Sequence, residues 1–163
     1  MLIGDPYKFS IFVQKIQDWN LDEAFCNGIL FFSIDGMLFP KKIVTVSLKC
    51  EVPLLEERLR NITENDELYF MSKKDAYLKI YNLVFPEDYK VDNDYKYDIT
   101  PQSLADNNCY VFAIRNDENV RIIAANLKYT IEESRHNLSN FNISETFITI
   151  NELNKMISKI DVY

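Results

Sequence analysis

Apolar and polar residues alternate along the first part of the chain in the pattern of β-strands. The stretch from Tyr7 to Ile16, "YKFSIFVQKI", alternates with little error, which predicts a strand with one face on the core and one in water. Two further apolar runs flank Asp35-Gly36, a dipeptide that tolerates the positive φ angles of a tight hairpin turn. The N-terminal part is therefore predicted to form a meander of three strands.

Helical spacing begins after Pro53. Leu55, Leu59 and Ile62 lie on one stripe of a helix, and a proline fits the first turn, where an amide proton would have no partner anyway. The pair Thr100-Pro101 predicts a single further helical turn, with the threonine as its cap. Both helices are expected to be short.

Two capping boxes mark the stronger helices. Ser72 with Asp75 resembles the first, ahead of a helix that Pro86 ends, and Thr149 with Glu152 forms the second. The apolar stripe that follows the second box comprises Leu153, Met156, Ile157 and Ile160. This stripe predicts an amphipathic helix.

The C-terminal half returns to strands. "CYVFAIRNDENVRIIAANLKYTI" predicts a hairpin that turns at Asn116 to Asn119, and a change of apolar phase suggests a bulge near Ala125. "FNISETFITI" predicts a last strand. Strands and helices that come in blocks predict one domain, residues 1–163, of the α+β class: an antiparallel, meander-rich sheet with two to four helices packed mainly on one face.

Composition places the chain among soluble globular proteins, with 47% apolar and 26% charged residues. The formal net charge is −7, and residues 82–163 carry 13 acids against 8 bases, so negative potential should gather on the C-terminal half. Such a surface disfavours nucleic acid as a direct ligand and suits a basic partner. The N-terminus lacks the pattern of a secretory signal and no stretch approaches a membrane span, which predicts a cytoplasmic protein without a membrane partner.

Sequence motifs for catalysis or cofactor binding are absent. The three glycines are not grouped, so no loop that cradles phosphate is predicted, and neither HExxH nor GxSxG occurs. The sole histidine, His136, would share a helical face with Glu132, which makes this the one candidate acid–base pair. Apolar surroundings and the lack of a CxxC pair predict that Cys26, Cys50 and Cys109 are buried, reduced thiols. The chain is predicted to be a non-enzyme without metal or other cofactor.

The most distinctive stretch is "PEDYKVDNDYKYD", Pro86 to Asp98, with five carboxylates and three tyrosines. Asp92 and Asp94 match the first D-x-D of a calcium loop, but Tyr97 and Ser103 stand where glycine and glutamate are required. Two interpretations remain: a solvated loop, or a surface on which tyrosines anchor and carboxylates attract a basic partner. On the second interpretation the contact residues are Asp88, Tyr89, Asp92, Asp94, Tyr95, Tyr97 and Asp98.

A family resemblance runs through four stretches of the chain. They are "IGDPYKFSIF", "NGILFFSIDG", "YNLVFPEDY" and "VRIIAANLKYTIEESRHNL". Together they resemble the immunity protein 42 family of bacterial polymorphic toxin systems. The resemblance implies a cytoplasmic antidote that binds a cognate toxin and blocks it by stoichiometric occlusion. An acidic inhibitor suits a basic toxin, such as a nuclease whose own surface must attract phosphates.

Two other classes stay open on the residues alone. One is an interaction module or homo-oligomer subunit unrelated to toxins, a homodimer included, because unpaired strand edges favour self-association. The other is a hydrolase or transferase built on Glu132 and His136, which His136→Ala would inactivate.

Overall fold

The computed structural model describes residues 1–20 and 26–160. Strands in this part of the chain are β1 (Leu2–Gly4), β2 (Phe9–Lys15), β3 (Asn27–Ile34), β4 (Met37–Phe39), β5 (Val46–Ser47), β6 (Cys109–Asn116), β7 (Asn119–Asn126), β8 (Lys128–Thr130), β9 (Arg135–Asn137) and β10 (Ile143–Thr149). The α-helices are α1 (Leu48–Arg60), α2 (Asp66–Phe70), α3 (Lys73–Val84), α4 (Gln102–Ala105) and α5 (Ile150–Ile160). None of these helices has the length and apolar character needed to cross a membrane.

The N-terminal strands form the first of two large antiparallel sheets, in the order β1-β2-β3-β4, with the short β5 also paired to β3. The turn between β3 and β4 uses Asp35 at φ 52° and Gly36 at φ 72°, the left-handed region that this dipeptide tolerates. At Gly28 on β3, an added Cβ would lie 2.2 Å from the carbonyl oxygen of Gln14, so β2 approaches too closely for any other residue. The predicted meander and its hairpin turn are confirmed.

The second sheet lies between two hydrophobic cores. Its order is β10-β7-β6, and the predicted hairpin of β6 and β7 is confirmed. Side chains on β6 alternate between the cores: Val111 and Ala113 pack with the first sheet, α1 and α5, whereas Phe112 and Ile114 pack with α2 and α3. This sheet therefore joins the two halves of the molecule.

Antiparallel sheets with helices packed on them confirm the predicted α+β class. The details are richer than predicted, because the described residues contain five α-helices and these flank both faces of the second sheet. The unpredicted helix is α2, which is only five residues long. So short a helix leaves no periodic apolar signal in the sequence.

Helix α1 begins at Leu48, upstream of Pro53, so the predicted start of this helix is wrong. Buried Leu48 and Val52 extend the stripe of Leu55 and Leu59 toward the N-terminus. Proline inside a helix removes one internal hydrogen bond. The burial of this longer stripe outweighs that loss, because packing of an apolar face supplies most of the stability of a helix in a protein.

Both capping boxes are confirmed. Ser72 Oγ accepts a hydrogen bond from the amide of Asp75 at 3.2 Å, and α3 ends before Pro86 as predicted. Thr149 Oγ1 accepts from the amide of Glu152 at 3.1 Å, while Glu152 Oε2 accepts from the amide of Thr149 at 2.7 Å. All four residues of the predicted stripe on α5 are buried.

Thr100 does not cap α4, so that part of the prediction is wrong. Its Oγ1 accepts from the amide of Val111 at 2.8 Å and donates to the carbonyl of Val111 at 3.1 Å. The start of α4 is held instead by Glu51 of α1, whose Oε2 accepts from the amide and hydroxyl of Ser103 at 3.1 and 2.7 Å. A carboxylate distant in sequence therefore stabilises this helix end.

The phase change near Ala125 marks the end of a strand, and the predicted bulge is wrong. Strand β7 keeps its register with β6 through Asn126. The next residue, buried Leu127, donates its amide to the carbonyl of Asn108 at 2.8 Å. The chain then enters β8, which pairs with β9 in a separate two-stranded sheet.

The three cysteines are free thiols that differ in burial. Cys109 is buried, Cys26 is half-buried and Cys50 is exposed. The prediction of burial is correct for Cys109 and wrong for Cys50, because Cys50 lies on the solvent side of α1 while its apolar neighbours face the core.

Candidate interaction surface

The segment Pro86–Asp98 is an irregular stretch held against the end of α3. The amide of Asp94 donates to the carbonyl of Leu83 at 2.8 Å, and the side chain of Asn93 donates to the carbonyl of Val84 at 2.6 Å. Carbonyls in the last turn of a helix lack a partner within the helix. The segment therefore completes the C-terminal end of α3, and this contact fixes its backbone.

Around these anchors the segment presents acids and tyrosines to solvent. Its exposed side chains among the predicted contact residues are Asp88, Tyr89, Asp92 and Tyr95. Tyr89 is 90% exposed. Asp94 is half-exposed, and a hydrogen bond from the ammonium of Lys96 at 2.8 Å lowers its pKa. These five residues, Asp88, Tyr89, Asp92, Asp94 and Tyr95, are termed the acidic face below.

Tyr97 and Asp98 belong to the core, with 3% and 8% of each residue exposed. The Tyr97 hydroxyl accepts a hydrogen bond from the side chain of Asn65 at 2.9 Å. Asp98 accepts from the amide of Thr100 at 3.0 Å and lies 3.7 Å from the guanidinium of Arg58, while burial raises its pKa. Neither side chain offers surface to a partner in this fold, so the predicted contact set reduces to the acidic face.

A cavity of about 270 Å³ adjoins Tyr95, and three of its polar residues, Arg58, Gln102 and Asp106, were not candidates in the sequence analysis. Arg58 comes from α1, and Gln102 and Asp106 come from the region of α4. These residues meet from separate parts of the chain, which no local pattern predicts. Within residues 1–20 and 26–160, no group of three or more His, Cys, Asp or Glu side chains is placed to hold a metal ion.

His136 lies on β9 and uses both ring nitrogens in hydrogen bonds. Its Nδ1 is 2.6 Å from the Tyr81 hydroxyl, and its Nε2 is 3.0 Å from Asn108 Oδ1. Because the Asn108 oxygen accepts, the proton sits on Nε2 and the Tyr81 hydroxyl donates to Nδ1. The chain from Glu132 to His136 is a turn and a strand, so the candidate acid–base pair on one helical face does not form.

Protonation of His136 is expected to destabilise the fold. Burial lowers its pKa, and only the neutral ring accepts the hydrogen bond from Tyr81. As the pH is lowered through about 6.5, the ordinary pKa of histidine, the unfolded chain therefore binds more protons than the folded chain. The free energy of unfolding should decrease over this range and level off below the folded-state pKa of His136.

Urea denaturation of the wild type and of His136→Gln, from about pH 7.5 to about pH 5, measures this contribution. The difference in the free energy of unfolding between the wild type and the variant should be largest at about pH 7.5 and should decrease toward about pH 5. A difference that stays constant with pH would contradict the expected linkage.

The molecule is a small acidic protein with an anchored surface segment of acids and aromatic rings. Its sole histidine is held in structural hydrogen bonds. These features suit a protein that binds another protein. The chain belongs to the immunity protein 42 family, whose model matches residues 1–163. Its fold is similar to the crystal structure of CdiI from Burkholderia dolosa AUO158, with a TM-score of 0.78 and 25% sequence identity over 99% of each chain. Comparison with curated proteins gives no match. The predicted family is confirmed: the chain is an immunity protein, and its partner is a toxin.

Proposed function

We propose that this immunity protein acts in the cytoplasm and neutralises its toxin by one-to-one occlusion, with the acidic face as part of the contact. The observation that supports this proposal is a backbone fixed at Asn93 and Asp94 beside exposed Tyr89 and Tyr95. A surface that is ordered before binding loses little conformational entropy on binding. Tyrosine adds a large contact area at low cost in side-chain freedom.

The toxin that fits this surface is basic. The chain carries a net charge of −7. Both lysines of the segment contact neighbouring residues of the same segment. Lys96 pairs with Asp94 at 2.8 Å, and the Lys90 ammonium lies 5.8 Å from the centre of the Tyr89 ring. Complementary charge accelerates association and disfavours wrong partners. A nuclease is one class of toxin that would carry the required positive surface.

Titration calorimetry with the cognate toxin domain tests the proposal. We expect tight one-to-one binding that weakens when the salt concentration rises from about 50 to about 500 mM, because salt screens exposed charges. Light scattering on the free protein supplies the reference stoichiometry and detects a homodimer. Absence of binding would contradict the proposal, and binding that does not change with salt would contradict its electrostatic part.

A further inference from the structure

A groove of about 1080 Å³ lies beside the acidic face, between the end of α3 and the β8–β9 hairpin. Its floor is aromatic. Tyr81 and Phe85 come from the α3 side, with ring centres 4.9 Å apart, and Tyr129 and His136 come from the hairpin, with ring centres 5.4 Å apart. Faces of aromatic rings attract cations and pack well against the aliphatic stems of long basic side chains.

The rim of the groove carries an excess of negative charge. Glu87, Glu133 and Arg135 are its charged residues within the described chain. Arg135 Nε donates to Glu133 Oε2 at 2.9 Å, and this hydrogen bond, together with the charges of Glu133 and Glu87, raises the pKa of the guanidinium. Two carboxylates against one guanidinium leave one net negative charge, and the adjoining acidic face adds to the negative potential.

The floor is preformed and uncharged near neutral pH. The hydrogen bonds of His136 to Tyr81 and Asn108 tie the hairpin to α3 and to the start of β6. Burial lowers the pKa of His136, so its ring stays neutral at pH 7. No positive charge in the floor therefore opposes a cation that enters the groove.

We infer that the groove receives a lysine or arginine side chain of the toxin. The aliphatic stem would pack on Phe85 and Tyr129, and the charged end would pair with Glu87 and Glu133. The inference rests on the proposed function, because it takes the toxin as the occupant.

The protein's own Arg135 competes for the same carboxylate. The Arg135 and Glu133 side chains are 68% and 55% exposed, and ion pairs this exposed contribute little to stability. A cation from the partner therefore displaces Arg135 from Glu133 at small cost.

The decisive variant is Arg135→Gln, which removes the competing cation and keeps both carboxylates. Toxin binding should tighten about three- to tenfold, whereas Glu87→Gln/Glu133→Gln should weaken it at least about tenfold. A gain in affinity is a strong test because a misfolded variant does not produce one.

Lys8→Gln is the matched control for Arg135→Gln. It removes the same charge from another exposed ion pair, Lys8–Glu152 at 3.2 Å. Glu152 lies in the first turn of α5, whose first residue bonds to the β6–β7 turn. This turn is at one end of β6, whereas Asn108 and the groove are at the other end. We expect the dissociation constant of this variant to stay within about twofold of the wild-type value.

Calorimetry on the four proteins with the cognate toxin domain separates the two claims. If the wild type does not bind the toxin, the proposed function itself fails. If the wild type binds and Arg135→Gln binds no better, or the double variant binds as well as the wild type, the groove inference alone is overturned. Equal gains for Arg135→Gln and Lys8→Gln would also overturn it, since net charge would then explain the effect.

Discussion

Replacing Arg121 with alanine is expected to lower the free energy of unfolding by about 3–5 kcal/mol. Only 3% of the Arg121 side chain is exposed, and it pairs with Glu145 at 2.5 Å. Its Nη1 donates to the carbonyls of Leu68, Tyr69 and Met71 at 2.9, 2.9 and 2.7 Å, which ties the end of α2 to the second sheet. Alanine would leave the buried carbonyl of Leu68 and the partly buried carbonyls of Tyr69 and Met71 without their donor, and the half-buried Glu145 without its counter-charge. Polar groups that are shielded from water and lose their partner are costly.

Urea denaturation with an unchanged m-value measures the loss of stability. Lys79→Ala is the control, because Lys79 pairs with Glu67 at 2.6 Å, the two side chains are 49% and 71% exposed, and a pair of this kind contributes about 0.2–1 kcal/mol. The double variant Arg121→Met/Glu145→Gln should recover part of the loss, since it removes the unpaired carboxylate and keeps the packing of the stem. A loss below about 1 kcal/mol for Arg121→Ala would show that the buried network is not needed for stability.

Signals confined to neighbouring residues predicted both ends of α3, the start of α5 and the two hairpins β3–β4 and β6–β7. The capping boxes at Ser72 and Thr149 were predictable because each joins residues three positions apart. The turn at Asp35 and Gly36 was predictable because few dipeptides tolerate two positive φ angles. In each case one short stretch of sequence contains both partners of the interaction.

Burial of polar residues was not predicted, because it depends on partners far away in the sequence. Tyr97 bonds to Asn65, 32 positions earlier, and nothing in the acidic segment indicates that contact. Arg121 did give a usable signal, since a single charge within the apolar run "VRIIAA" is typical of a buried ion pair on one face of a strand. Its partner Glu145 follows only from the pairing of β7 with β10.

For the same reason, the sequence indicated only in part which residues of the acidic segment are exposed, and their contact with a toxin stays a prediction. Composition alone indicated a stretch of acids and tyrosines, and Asp88, Tyr89 and Tyr95 do reach solvent. Which positions turn outward depends on where the segment is anchored. That anchor is the end of α3, which the segment meets through Asn93 and Asp94.

Neutralising the acidic face with Asp88→Asn/Asp92→Asn/Asp94→Asn is expected to slow association with the toxin about tenfold or more at low salt. Asparagine keeps the side-chain oxygens that accept the amides of Lys90 and Lys96 at 2.9 and 3.1 Å, so the local turns are retained. The net charge changes from −7 to −4, that is −7 + 3. Stopped-flow mixing at about 50 and about 500 mM salt should show the difference from the wild type at the lower concentration and its loss at the higher.

The control is Asp35→Asn/Asp117→Asn/Glu118→Gln, which gives the same net charge by changing exposed residues in two hairpin turns outside the acidic face. Asp35 and Asp117 have φ angles of 52° and 50°, a conformation that asparagine also tolerates. Steering by the acidic face predicts a near-wild-type association rate for this control. Equal slowing of both triple variants would assign the steering to net charge alone. Charges that only steer the encounter change the association rate and leave the dissociation rate unaltered. If only the Asp88→Asn/Asp92→Asn/Asp94→Asn variant dissociates faster, its carboxylates stay paired with the toxin in the complex.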